Sequence, residues 1–171
     1  KLAALRQLGV DPYTQAASRS HYNQAFVDNY DALDGKKVVA VGRIGSIRLM
    51  GGLCFIDLLD QSGKVQVMVN KRDVSADYPH NILGFNELRQ LDSGDFIEAS
   101  GTLGKTKLGE VSVLTSQLRV LTKSLRPLPD VHEGLSNVET RYRQRYVDAL
   151  VNPGVTQTLL LRTRVMKTIR T

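Results

Sequence analysis

CFIDLLDQSGKVQVMV, residues 54–69, sets two short apolar runs around a polar turn. Side chains alternate along a strand, so the faces of each run can be written down. Cys54, Ile56 and Leu58 share one side with Val65, Val67 and Val69, and that wholly apolar side belongs to a core. Phe55, Asp57 and Leu59 share the other with Gln66, Met68 and Asn70. Slipping either run by one residue would bury Asp57 or Gln66, at a cost on the order of a few kcal/mol for each polar group left unpaired. The register of this hairpin is therefore well specified, and Phe55 and Gln66 lie together on its outer face.

Outward from the hairpin the period changes. Leu2, Leu5 and Leu8 predict a helix that Gly9 and Asp11-Pro12 end. From there to Asp34-Gly35 the chain is polar with scattered Tyr13, Tyr22, Phe26 and Tyr30, which predicts irregular structure and a short helix. KKVVAVGRIGSIRL (36–49) is a β-branched strand with a glycine-softened bend. Residues 75–91 lose the alternation, and Leu83, Glu87, Leu88 and Leu91 predict a connecting helix. Residues 94–106 and 109–122 are two further strands around a Gly/Lys-rich loop.

Three strands, a helix and two strands is the order of the OB-fold, a five-stranded, partly open Greek-key barrel. A small five-stranded sandwich is the competing architecture, and the position of the helix favours the barrel. The fold class is thus an all-β core with an N-terminal helix and C-terminal helices beside it. The expected organisation is a helical extension over 1–35, the barrel over 36–123, and a linker with following helices over 124–171. SLRPLPD carries two prolines and is read as the linker. Tyr142, Tyr146, Ala149 and Leu150 then fall on one helical face, and Val155, Leu159, Met166 and Ile169 mark a second helix. Both faces lack chain to cover them, and the chain starts at Lys1 without methionine, so a piece of a longer protein is expected.

The net charge of +6 is unevenly placed. Residues 1–140 hold 16 Lys/Arg against 16 Asp/Glu, whereas residues 141–171 hold 7 against Asp148 alone. A uniformly basic coat for RNA is excluded, so nucleic-acid contact in the barrel would rest on specific groups. No apolar run approaches the roughly 20 residues of a membrane span. The single cysteine, Cys54, gives neither a disulfide nor zinc spacing. His21, His80 and His132 stand far apart, and no metal site is expected.

An outward aromatic and an outward amide on the second and third strands of such a barrel sit on its usual ligand surface. Phe55 offers a base a stacking platform worth about 1–3 kcal/mol, and Gln66 can both donate to and accept from a base edge. The opposing possibility is that Phe55 packs under the N-terminal segment and Gln66 is only solvated. Gly104-Lys105-Thr106 is not a phosphate loop, because Ala99 stands where that motif needs glycine. No nucleophile–base constellation or carboxylate pair is present, so no catalytic residue is assigned and a binding module is indicated.

Several stretches together resemble class II lysyl-tRNA synthetase of subclass b: GRIGSIRLMGGLCFIDLLDQSGKVQVMV, GDFIEASGTLGKTKLGEVSV, LTKSLRPLPD and NVETRYRQRYVDALVNP. The resemblance implies that the barrel binds the anticodon loop of tRNA(Lys), with Arg43 among the contacts, Phe55 stacking on a base, Gln66 reading a base edge and Glu110 accepting from a base. It implies ATP and Mg for a catalytic domain of the parent, no cofactor for this piece, a homodimeric parent and a cytoplasmic location, with an organellar parent still open. A chain stopping inside the family's first catalytic motif is expected to be inactive alone. The alternatives are a general single-strand-binding OB module, the equivalent domain of an aspartyl or asparaginyl synthetase, or a barrel whose Phe55 face meets a polypeptide.

Overall fold

In the computed structural model, which describes residues 1–14, 16–129, 134–152 and 154–170, the β-branched run becomes one long strand, β1 (Lys37–Met50). The quoted stretch becomes the hairpin of β2 (Leu53–Leu59) and β3 (Lys64–Asn70). A two-residue strand β4 (Ile82–Leu83), β5 (Phe96–Lys105) and β6 (Val111–Thr122) follow. Antiparallel pairing runs β3–β2–β1–β5–β6, and β3 meets β6 in parallel to close the ring. The five long strands form the OB-fold barrel, while β4 pairs with Leu118 and Arg119 of β6 and its Ile82 also bridges to Asp77.

The hairpin register is the expected one: Cys54 opposes Val69, Ile56 opposes Val67 and Leu58 opposes Val65. All six are buried, together with Ile44, Ile97, Leu103, Val113, Leu118 and Val120 from the other strands. At the turn, Asp60 Oδ1 accepts from the backbone N–H of Ser62 (2.7 Å) and Gly63 (3.2 Å), an Asx-type closure that shapes the loop locally.

The N-terminal extension carries α1 (Leu2–Gln7), α2 (Asn23–Asp28) and α3 (Tyr30–Leu33). Gly9 ends α1 with φ +79°, a left-handed conformation that glycine adopts without strain. Leu5 and Phe26 are fully buried in the barrel core. Between α1 and α2 the chain is strapped along the barrel: Ser18 N–H donates to Glu98 Oε2 (2.6 Å), and Ser20 N–H donates to the Val39 carbonyl (3.1 Å). The strap then reaches the hairpin turn, where Asn23 N–H donates to Asp60 Oδ2 (3.0 Å) and Asn23 Nδ2 donates to the Leu58 carbonyl (3.0 Å).

The connecting helix expected over 75–91 does not form. Two 3₁₀ turns, Tyr78–His80 and Asn86–Gln90, flank β4 instead. Asn81 adopts φ +61°, which ends the first turn, and Ile82-Leu83 are claimed by pairing to β6. Leu83, Leu88 and Leu91 are nonetheless buried, so the apolar spacing identified core residues while tertiary pairing chose the element.

Where the barrel ends, Lys123 and Asp95 form an ion pair whose side chains are 3% and 0% exposed. Lys123 Nζ lies 3.0 Å from both Asp95 oxygens, which also accept from the backbone N–H groups of Asp92 (2.8 Å) and Ser124 (2.7 Å). Every oxygen of the buried carboxylate is thereby satisfied, which is the condition under which such a pair is tolerated.

The chain divides into two compact units, Lys1–Pro127 and Leu128–Thr171. The second holds α4 (Val138–Arg143), α5 (Arg145–Val151) and α6 (Val155–Arg170). The single helix expected through Tyr142 and Tyr146 breaks at Gln144 (φ −112°, ψ 53°). The break lets Arg141 Nε (2.8 Å) and Arg145 Nη1 (2.7 Å) reach the same buried carboxylate, Asp148. Tyr142, Tyr146, Leu159, Met166 and Ile169 are exposed. Asp130 of the expected linker and His132 lie outside the described residues.

Replacing Lys123 by Met leaves Asp95 buried without its cation and is expected to cost about 3–5 kcal/mol in urea denaturation of the protein. Burial raises the Asp60 carboxyl, but hydrogen bonds from the Ser62 hydroxyl and the N–H groups of Asn23, Ser62 and Gly63 outweigh it and hold the group below the ordinary carboxylate range. Its contribution is therefore present above the ordinary aspartate range and is lost as the pH falls through the depressed value. Urea melts across an acid pH series should show that decline in the wild type and a flatter profile in Asp60→Asn.

Candidate nucleic-acid interface

The outer faces of β1, β2, β3 and β6 line up in rows, because residues paired across a sheet point the same way. Arg48, Phe55, Met68 and Leu114 form one row. Ser46, Asp57, Gln66 and Ser112 form the next. Arg43 and Leu59, with Lys64 opposite Leu59, form a third. The register of β1 against β2 shifts between Ile44 and Ser46, so Gly45 is the extra residue of a β-bulge. A Cβ at Gly45 would come within 2.8 Å of Leu59 Cδ1, so a larger residue there would push that exposed side chain aside. The bulge changes the parity of β1: Arg43 faces outward before it, and Ser46 and Arg48 face outward after it.

The second row is hydrogen-bonded across the barrel closure. Gln66 Nε2 donates to Glu110 Oε2 (2.6 Å), and Ser112 Oγ donates to Gln66 Oε1 (2.9 Å). A carboxylate only accepts, so this arrangement also fixes which way the amide is turned. Glu110 is held by a tight loop between β5 and β6, in which Thr106 N–H donates to the Glu110 carbonyl (2.9 Å) and Glu110 N–H donates to Thr106 Oγ1 (3.2 Å). Gln66 is only 5% exposed, so it is a covered member of a network and not the open side chain that alternation suggested. One amide hydrogen and one carboxylate oxygen of the pair have capacity left for a ligand.

Phe55 sits in the neighbouring row, half-buried, diagonal to Gln66 and opposite Met68. Arg43 is turned to the far side of the Gln66 row. Its Nη1 donates to the Gly94 carbonyl (3.0 Å), and its guanidinium stacks over Phe96 at 4.3 Å. Burial lowers its pKa below the ordinary value. The structure therefore brings Gln66 and Glu110 into contact, places Phe55 beside them and sets Arg43 apart. Arg48, the cross-strand partner of Phe55, is the cation nearest that ring by register and was not singled out from the sequence. An unbroken alternation through β1 puts Arg48 and Arg43 on opposite faces, and Gly45 within the strand is the signal that corrects it.

Of the loop lysines, Lys105 lies over the Tyr30 ring at 4.1 Å, and Lys107 is exposed. Among the described residues, no three His, Cys, Asp or Glu side chains gather as metal ligands, and no helix is long and apolar enough to cross a membrane. Ser112→Ala removes the donor to Gln66 Oε1 and is expected to cost about 1 kcal/mol of stability, measured as a shift of the urea midpoint.

Residues 38–121 match the family described as OB-fold nucleic acid binding domain. Over 170 residues, 99% of its length, the chain is 41% identical to a lysine–tRNA ligase of Carboxydothermus hydrogenoformans, covering 34% of that relative. It is 39% identical to the lysine–tRNA ligase of Clostridium novyi, over 99% of the chain and 32% of the relative. The same identity relates it to the lysine–tRNA ligase of Moorella thermoacetica, over 99% of the chain and 34% of the relative. The chain thus spans about a third of the length of the curated relatives it matches.

Proposed function

From a chain whose residues 38–121 are an OB-fold nucleic acid binding domain and whose whole length is homologous to lysine–tRNA ligases, we infer that the barrel recognises the anticodon loop of a lysine-accepting tRNA. The observation that carries this is the pairing of two adjacent rows on one outer face. One row offers a half-buried aromatic with a cation across the strand, and the next offers an amide and a carboxylate already hydrogen-bonded to each other. Phe55 supplies the stacking surface, Arg48 a cation across the strand from it, Gln66 a donor to a base edge, and Glu110 an acceptor from an anticodon base. A uracil-rich anticodon suits these groups, since uracil presents carbonyl oxygens beside a ring N–H. Arg43 contributes from its stack on Phe96 at the margin of the face.

On this reading the chain serves a lysine–tRNA ligase that joins lysine to its tRNA, with ATP and magnesium assigned to the part of the relatives that the chain does not span. A homodimeric, cytoplasmic parent fits the same assignment. A binder of single strands in general would need a basic groove, whereas the cations and anions of residues 1–140 balance.

The test is fluorescence anisotropy with a UUU anticodon stem-loop and a loop of altered anticodon, at one fixed salt concentration. The wild type should prefer UUU, and Phe55→Ala should lose about 1–3 kcal/mol of that binding. Equal affinity for both loops would assign the face to sequence-tolerant binding, and absence of RNA binding would assign it to a polypeptide.

A further inference from the structure

Asp57 stands at the centre of the proposed reading face, between Ser46 and Gln66 in their row and between Phe55 and Leu59 along β2. Its Oδ2 accepts from Ser46 Oγ at 2.9 Å. Its Oδ1 is buried and has no hydrogen-bond partner among the described residues. Two cations lie near but not in hydrogen-bonding contact: Arg48 Nη2 is 3.5 Å from Oδ1, and Lys64 Nζ is 3.8 Å from Oδ2. Both cations are half-exposed, so they soften the carboxylate's charge without occupying its acceptor positions.

A carboxylate in the middle of a surface that receives a polyanion is unfavourable unless it meets a donor. The same row supplies the complement, because Gln66 keeps one amide hydrogen after donating to Glu110. Cross-strand partners hold their Cβ atoms about 4.5–5.5 Å apart, so an acceptor and a donor stand side by side. A uracil edge presents the matching pair, a ring N–H next to a carbonyl oxygen. Cytosine presents a lone pair at the same ring nitrogen and would face the carboxylate with repulsion. We propose that Asp57 is a specificity-determining residue, whose buried Oδ1, uncovered when the half-exposed Arg48 side chain 3.5 Å away moves aside, accepts the ring N–H of a uracil while Gln66 donates to the adjacent carbonyl. This rests on the anticodon-reading assignment and adds to it the group that rejects cytosine.

The experiment uses the UUU stem-loop with each anticodon uridine replaced, one at a time, by cytidine or N3-methyluridine. Wild type, Asp57→Asn and Asp57→Ala are compared across a salt series. Electrostatics alone predicts tighter RNA binding when a carboxylate is removed. The proposal predicts the opposite: Asp57→Ala binds UUU about tenfold or more weakly, Asp57→Asn falls between, and Asp57→Ala no longer distinguishes uridine from its replacements at one position. The salt dependence should stay unchanged, since loss of one phosphate contact would lower the slope by about 0.7. Asp57→Asn can still accept from Ser46 and guards against a folding defect. Wild-type preference for UUU combined with equal or tighter UUU binding by both variants overturns the role of Asp57 and leaves the anticodon assignment standing. So does weaker binding accompanied by a reduced salt slope, which would trace the loss to displaced Arg48 or Lys64. No preference for UUU in the wild type overturns both.

Discussion

The parallel pairing of Gln66–Val69 with Ser112–Thr115 is the constraint on which the rest of the barrel depends. It joins the third strand to the last one, leaving the sheet without an open edge at that seam. On the inside it completes the apolar core by setting Val67 against Val113. On the outside it sets Gln66 against Ser112 and brings the β5–β6 loop close enough for Glu110 to accept from the amide. The seam that makes the barrel stable is thus the same seam that assembles the donor and acceptor of the outer face. A buried amide at that point is tolerated because both of its ends are satisfied.

Around this seam, two backbone devices decide which groups are offered to a ligand. The Gly45 bulge re-aims the second half of β1 so that Arg48 and Ser46 join the rows of Phe55 and Gln66. The strap over residues 18–24 occupies the first half of β1 and the neighbouring β5, where Glu98 and Val39 take its hydrogen bonds. The outward polar side chains of this face are consequently concentrated on β1 after the bulge, β2 and β3. Because anionic and cationic side chains balance over residues 1–140, RNA recognition there would rest on hydrogen-bond direction and stacking more than on bulk attraction.

The hairpin was legible in the sequence because everything that defines it is local. Alternation over seven residues on each side of a short turn separates an apolar set from a polar one, and a slip would be costly enough to exclude the other register. The same logic found Leu83, Leu88 and Leu91 as core residues but assigned them a helix, since apolar spacing reports burial more directly than backbone conformation. Asn81 in a left-handed conformation and the pairing of Ile82-Leu83 to β6 are long-range outcomes that no window of neighbouring residues displays. The tyrosine-bearing helix was divided at Gln144, and there the contacts are local: Asp148 gathers Arg141 and Arg145 from the two halves.

By itself the sequence determined the five long strands in chain order, the inward and outward faces of the hairpin, and the balance of charge over residues 1–140, each of which depends on neighbours within a few residues or on simple counts. The tertiary structure alone decided that Gln66 and Glu110, 44 positions apart, would touch. It also decided that Arg48 and not Arg43 would stand across from Phe55, and that Asp57 would keep an oxygen free in the middle of the row. The physical reason is that barrel closure and a one-residue bulge set which side chains meet. Both are fixed by hydrogen bonds between strands distant in the chain, whose partners leave no periodic trace along it.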